Sequence, residues 1–544
     1  MGNVIVVGSG ISGMTAAIRC AGQGVKVTLI SPFPSERSQS VMAAGGINAV
    51  LRDCDPGDSV ACHVEDTLKG GSYLAGSKAV TGLCENAENI IEYLEKLGTV
   101  FSIDKSGKLI RRSFGGQSYR RTYYCGSSTG KQIVSALVME ARRLEAAGMV
   151  ERRLWSCFHS ALIRDGVCYG VLIYDESTQG LEALYGDSVI IATGGQNSLF
   201  GKTTGSTQCD GYVAGKLFMQ GAELKNLEFI QYHPTTIDIF QKRMLISEAV
   251  RGEGGRLFYE ESGKKVYFME EKFGAKGNLV TRDIMSRSIY ETGRDVYLDI
   301  SFMNKERINE KIPEVRDLCL KYRGIDISKE PIPVAPCVHF FMGGLAVHMN
   351  HETNIRSLYA IGECASMYHG ANRLGGNSLL SAIYSGMVAA DDISKNPKPK
   401  EDIDFSLEIE EEKEKLKQRM ETRSKFPVMY IRDMLAETMN KSMGIVRTEA
   451  ELDKGLYNID YYLSIAEKLR YDNSVLAYFN YSLVGILNIA KASVFSAKAR
   501  KESRGAHYRS DYPDSKDADA YASIISYNNG DFKIRLDKEK LYES

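Results

Sequence analysis

The sequence predicts an α/β protein whose parallel-sheet core is interrupted by an inserted α+β domain and followed by a helical one. Three observations predict it. The opening stretch from Asn3 to Ile30 alternates strand, glycine turn, helix and strand. A buried-strand pattern, Ser188–Ala192, ends in Thr193-Gly194-Gly195. The same α/β character returns at Leu358–Glu363, after a long turn-rich stretch. At 544 residues, 43% of them hydrophobic, the chain exceeds what one core holds, so several domains are expected.

The elements follow in order. Asn3–Val7 is a β-branched run and reads as a strand. Gly8-Ser9-Gly10-Ile11-Ser12-Gly13 turns into the Ala- and Ile-rich helix Met14–Gln23, and Val25–Ile30 is the next strand. From about Glu228 to Pro336 turns are frequent and helices charged, the mark of the insert. Asn396-Pro397-Lys398-Pro399-Lys400 reads as a linker. Leu407–Arg423 is dense in Glu and Lys at helical spacing, a solvated helix, and the rest to about Arg500 is expected to be helical. Beyond Tyr512-Pro513 the chain is polar, and no element is predicted there.

Composition bounds function. A net charge of -1 gives no attraction to nucleic acid or an anionic membrane. No apolar run reaches the roughly 18–20 residues that cross a bilayer. Tyr481–Ala490 comes nearest. Val4–Val7 lacks the basic flank of an export signal. The 11 cysteines include no C-x-x-C pair, which reads as reduced thiols rather than a disulfide framework or metal site. A cytoplasmic protein without metal is expected, touching a membrane only by peripheral docking through a partner.

Gly8-x-Gly10-x-x-Gly13 sits between strand and helix, the context of a Rossmann-like dinucleotide site. Without Cβ atoms, the turn lets a pyrophosphate meet N–H groups at the positive helix end. A ligand-free tight turn would use the same glycines. The second strand ends at Ser31, where many NAD sites carry an acid, which argues against generic NAD binding. The small, polar Arg37–Gly46 reads equally as a flexible loop or as a bed for a planar ring.

Leu29-Ile30-Ser31, Arg37-Ser38 and Ala43-Ala44-Gly45-Gly46 together resemble the flavoprotein subunits of fumarate reductase and succinate dehydrogenase, with L-aspartate oxidase a close relative. The likeness runs from residue 3 to about residue 513. It implies a Rossmann-like FAD-binding domain (1–227 and 337–395), an α+β capping domain (228–336), a helical domain (401–505) and a C-terminal extension (506–544). It implies FAD contacts at Gly8, Gly10, Gly13, Ser31, Ser38, Gln39, Ser40, Ala44, Gly45, Gly46, Thr193, Asp210, Glu363, Ser378 and Leu379. In membrane-bound members a histidine after Arg-Ser bonds the flavin covalently. Gln39 stands there instead, and an amide is not nucleophilic enough, so the FAD is expected to be non-covalent and to favour fumarate reduction.

Read alone, His233 fits a structural histidine, Glu248 and Arg251 a helical ion pair, and Arg282 a surface residue. The resemblance implies more. His233 and Ser247 hold one carboxylate of the substrate, Glu248 and Arg251 relay protons, and Arg282 protonates the substrate carbon. His339 and Arg373 contact carboxylates. Phe114 stands where aspartate oxidase has a glutamate, so no substrate ammonium is expected. Phe341 replaces a small polar residue and is expected to alter flavin or substrate contacts. The implied reaction is hydride transfer from FAD N5 to fumarate, or the reverse from succinate. Glu502–Arg509 with Asp511-Tyr512-Pro513 resembles the signature of members that work beside an iron–sulfur subunit. By itself it is a basic helix end packed on the core. Two other readings stand beside this one: an L-aspartate oxidase, and a flavin electron-transfer subunit without dicarboxylate turnover.

Overall fold

The computed structural model describes residues 2–126, 128–240, 242–397, 403–421, 427–466, 468–469, 477–516 and 520–537. Its centre is a five-stranded parallel sheet in the order Leu358–Ala360, Ser188–Ile191, Asn3–Val7, Lys26–Ser31, Val150–Leu154. The inner strands are short apolar runs buried on both faces, as a parallel sheet requires. The strand, helix and strand read at the start fall at Asn3–Val7, Ile11–Gly22 and Lys26–Ser31. A Cβ on Gly13 would stand 1.9 Å from the Gly8 carbonyl oxygen, so glycine there lets the helix close on the turn.

A six-stranded antiparallel sheet occupies the insert. Its strands run in the order Lys242–Leu245, Ile230–Ile239, Ile332–Phe341, Val296–Asp299, Arg256–Glu261, Lys264–Val266. Ile237, Leu257, Met285, Leu298 and Ile332 form a core of their own under it. The pairing of Ile230–Ile239 with Ile332–Phe341 shifts register between Gln231 and Tyr232 and again between His233 and Thr236. Such irregularities re-aim side chains. Here they flank His233.

Helices Val428–Ser442, Glu449–Ala466 and Leu483–Ala499 follow. The Glu- and Lys-rich helix is Ser406–Glu421 and largely faces solvent. It is pinned to the core by Glu412, 2.8 Å from His159 Nε2. Of the expected linker, Lys398–Lys400 lies outside the described residues, as does the expected helix end at Arg423. Among the described residues, no helix is long and apolar enough to cross a membrane.

The polar C-terminal stretch is a hairpin, Ala522–Asn528 and Asp531–Asp537, rather than an extension without elements. Asn529 and Gly530 turn it with φ of 48° and 95°, the left-handed pair a type I′ turn needs. Ile524 and Ile525 are buried where the hairpin pairs with Leu224–Lys225.

Candidate active site

A cavity of about 580 Å³ opens along the carboxyl ends of the parallel strands, where open α/β sheets bind ligands. Its wall includes Gly8, Gly10, Ser31, Ser38, Gln39, Ser40, Ala44, Gly45, Gly46, Thr193, Asp210, Glu363, Ser378 and Leu379. Phe114, Ser247, Arg282, His339 and Arg373 line the same cavity. Gly13, His233, Glu248 and Arg251 do not reach its surface; the last three back the wall. Phe341 is turned away into the core, its ring 6.0 Å from that of Phe200. Its bulk therefore does not enter the cavity, contrary to expectation. Phe340 is the ring on the wall, 4.2 Å from the Arg373 guanidinium.

Arg282 starts the helix Arg282–Glu291 and points back across the insert. Its Nη2 donates to Glu248 Oε2 at 2.8 Å and its Nη1 to Gln231 Oε1 at 3.0 Å. Arg373 Nη2 donates to the same Gln231 Oε1 at 3.0 Å. Glu248 also accepts the Gly115 N–H at 2.9 Å and faces Arg251 Nη2 at 3.4 Å. The His233 and His339 rings stand edge to face, 5.2 Å apart. His339 Nδ1 meets Thr204 Oγ1 at 2.8 Å, and His233 Nδ1 meets the Thr235 carbonyl at 3.1 Å.

The electrostatics are one-sided. Burial works against charge on Glu248, but Arg282 and Arg251 outweigh it and hold the carboxyl down to about 2. Burial, then Arg282, disfavours charge on Arg373. Burial also lowers Arg251. A guanidinium nevertheless keeps its proton. Burial pushes Glu363 up to about 7, so the second acid near Arg373 carries only part of a negative charge at neutral pH. Burial and the neighbouring arginines keep His233 neutral; for His339 burial, His233 and the arginines act the same way. Arg373 Nε and Arg251 Nε have no hydrogen-bond partner among the described residues. Three buried guanidiniums thus share one firmly ionised carboxylate, and the surplus calls for an anion.

Residues 3–379 match the family model for an FAD binding domain, and residues 432–543 match that for the fumarate reductase flavoprotein C-terminus. The succinate dehydrogenase flavoprotein subunit of Bacillus subtilis is 38% identical over 95% of this chain and 92% of its own length. The L-aspartate oxidase of Pyrococcus furiosus is 34% identical over 97% of this chain and 99% of its own. A solved structure of FrdA from E. coli quinol fumarate reductase superposes with a TM-score of 0.90 at 27% identity, covering 98% of this chain and 96% of that one. The chain belongs to the succinate dehydrogenase and fumarate reductase flavoprotein family. It is an FAD-dependent oxidoreductase.

The cavity fits the family's cofactor. Gly8 has φ of 110°, and a Cβ there would lie 2.4 Å from the Ala192 carbonyl oxygen, so the backbone itself forms the floor. The helix that begins at Ile11 has no acid in its first turn, leaving its positive end open to a pyrophosphate. Ser38 Oγ and Gln39 Oε1 are buried on the wall without a partner among the described residues. Ser31 accepts from Ser9 Oγ at 2.8 Å, a hydroxyl pair where an NAD site would carry an acid.

Sequence reasoning missed Gln231, which ties Arg282 to Arg373 and returns its Nε2 to the Arg373 carbonyl at 2.7 Å. The available signal was its place two residues before His233 on one strand. It also missed the buried network beneath the Arg373 loop. There Asn48 Nδ2 donates to the Gly375 carbonyl at 2.7 Å and Gln117 Nε2 to the same oxygen at 3.1 Å.

Proposed function

We propose that this chain reduces fumarate to succinate, or runs the reverse, as the flavoprotein subunit of an assembly with an iron–sulfur protein. The observation that carries the reading is the cationic surplus of Arg251, Arg282 and Arg373 over Glu248 beside the flavin cavity. A dianion neutralises that surplus. The family supplies the rest, since the Bacillus relative is named a succinate dehydrogenase flavoprotein subunit.

In this reading Arg373 and His339 hold one carboxylate, and Ser247 holds the other, with His233 behind it in the wall, its ring 5.2 Å from that of His339. Gly8–Gly10, Ser38–Ser40 and Ala44–Gly46 would hold the FAD, which would supply or accept the hydride. Arg282 gives its proton to the neighbouring carbon. It is a weak acid, so the lost proton must return at once. Glu248, 2.8 Å away, is ionised and holds no proton of its own, so it serves as a relay: it takes a proton from Arg251, its other partner, and passes it to Arg282. Negative charge that builds beside a carboxylate meets donors already in position. With Gln39 where a histidine would bond the ring, the FAD is non-covalent.

Phe114, buried and packed at Gly45 and Gly375, offers no charge to a substrate ammonium. That weighs against aspartate oxidation despite the Pyrococcus relative. The deciding experiment reduces the purified holoenzyme anaerobically with dithionite and adds fumarate. Rapid reoxidation of the flavin is expected. Peroxide formation with aspartate in air, without response to fumarate, would replace this reading by aspartate oxidase. Yellow colour left on the polypeptide after SDS denaturation would refute non-covalent binding.

A further inference from the structure

The C-terminal segment Glu502–Arg509 has no part in the chemistry above, yet it lies against the loop that carries Arg373. We propose that the turn Gly505-Ala506 is a positioning device for Arg373 and so sets affinity for the substrate dianion; this rests on the functional reading of the same cavity. Ala506 N donates to the Ala371 carbonyl at 3.0 Å, and Ala371 N donates to the Gly71 carbonyl at 2.9 Å. The Arg373 loop is thus hydrogen-bonded on both sides, two residues before the arginine. Gly505 has φ of 52°, and a Cβ there would meet the Ala371 carbonyl oxygen at 2.7 Å and its carbonyl carbon at 2.8 Å. Backbone crosses backbone at this point, and any side chain at 505 must push the loop.

The turn is itself held rigidly. Arg504 and His507 exchange backbone hydrogen bonds at 2.8 and 3.0 Å. Glu502 takes Arg500 Nη1 at 3.0 Å and Arg504 Nε at 2.9 Å, while Arg500 Nε reaches Glu228 at 2.6 Å. Glu228 opens the segment that leads to Gln231, the residue bonded to Arg373. Between turn and arginine lies a small apolar cluster of Leu74, Phe229, Phe340, Met342 and Ala371, closed by Ala506. Phe340, in that cluster, is the ring under the Arg373 guanidinium. Displacement of the turn therefore passes to Arg373 through Ala371 and through Phe340.

The test is Gly505→Ala in the flavin-loaded protein, with malonate titrated against the flavin absorbance and fumarate turnover measured beside it. Malonate affinity is expected to fall about tenfold, since displacement by a fraction of an ångström is costly at a fixed ion pair. The KM for fumarate should rise by more than kcat falls, with flavin content unchanged. In an Arg373→Met background the same change should alter malonate affinity by less than about twofold, because its route is gone. Equal losses in both backgrounds, or no loss in the first, would overturn the proposal. If Gly505→Ala fails to load flavin, Ala506→Val enlarges the same contact without a left-handed backbone and carries the same expectations. Wild type that binds malonate but leaves fumarate untouched would sink the functional reading, and malonate affinity would still judge the turn.

Discussion

Two buried arginine clusters lie close together in this molecule. In the C-terminal one, Arg500, Arg504 and Arg509 face Glu228, Glu502, Glu449 and Asp511. Every nitrogen of those three guanidiniums donates to a carboxylate or a carbonyl. In the other, Arg251, Arg282 and Arg373 have only Glu248 as a firm counter-charge, and Arg251 Nε and Arg373 Nε have no partner among the described residues. Arg500, Arg504 and Arg509 are fully partnered and hold the fold. The second cluster is complete only with an anion inside. Residue type does not separate a structural ion knot from a binding site; the charge balance does.

The comparison breaks most visibly at Arg282. Arg282→Ala should reduce fumarate turnover by roughly 10³-fold, the scale of a lost general acid, with little change in flavin content. A loss of stability without a loss of rate would place it with the structural cluster. Next come two matched substitutions. Arg500→Met strands Glu228 in the interior and should cost about 3–5 kcal/mol in urea unfolding. Arg373→Met removes a buried cation that lacks a counter-charge, and should leave stability within about 1 kcal/mol of wild type or raise it. Its malonate affinity should nonetheless fall by about 10–100-fold, the worth of a charge-assisted bond. Malonate at a hundred times the wild-type dissociation constant should stabilise wild type by about 2.7 kcal/mol and Arg373→Met by only about 0.4–1.4 kcal/mol, read from thermal melts.

The smallest effect is one of pH. Glu248 is held at about 2, below the usual carboxylate value of 4.5, so its ion pairing stabilises the fold above that usual value and is lost as pH falls through 2. The difference in unfolding free energy between wild type and Glu248→Gln should therefore narrow steadily from pH 4.5 downward. A constant difference would mean that Glu248 is not ionised in the folded protein.

Much of this was legible in the residues. Asn3–Val7 and Lys26–Ser31 were readable because parallel strands buried on both faces are nearly uninterrupted apolar runs. Arg282 and Arg373 were legible only through resemblance, since their partners stand 34, 51 and 142 positions away. The direction of Phe341 was not legible, because register shifts decouple facing from spacing in that strand pair. The terminal hairpin could have been read: Asn529-Gly530 is a strong turn signal between two strand-length runs, and the polarity of the stretch hid it. Gln231 was hidden for a different reason. An amide announces no chemistry until its oxygen is seen between two guanidiniums.

The most direct test is a titration of the oxidised, flavin-loaded protein with malonate and, in parallel, with acetate, followed by flavin absorbance. If the cage holds a surplus of buried positive charge sized for two carboxylates, malonate should perturb the flavin saturably, and acetate should bind about 10–100-fold more weakly, the worth of one further charge-assisted bond. Equal affinity for the two, or malonate binding that survives Arg373→Met undiminished, would contradict it.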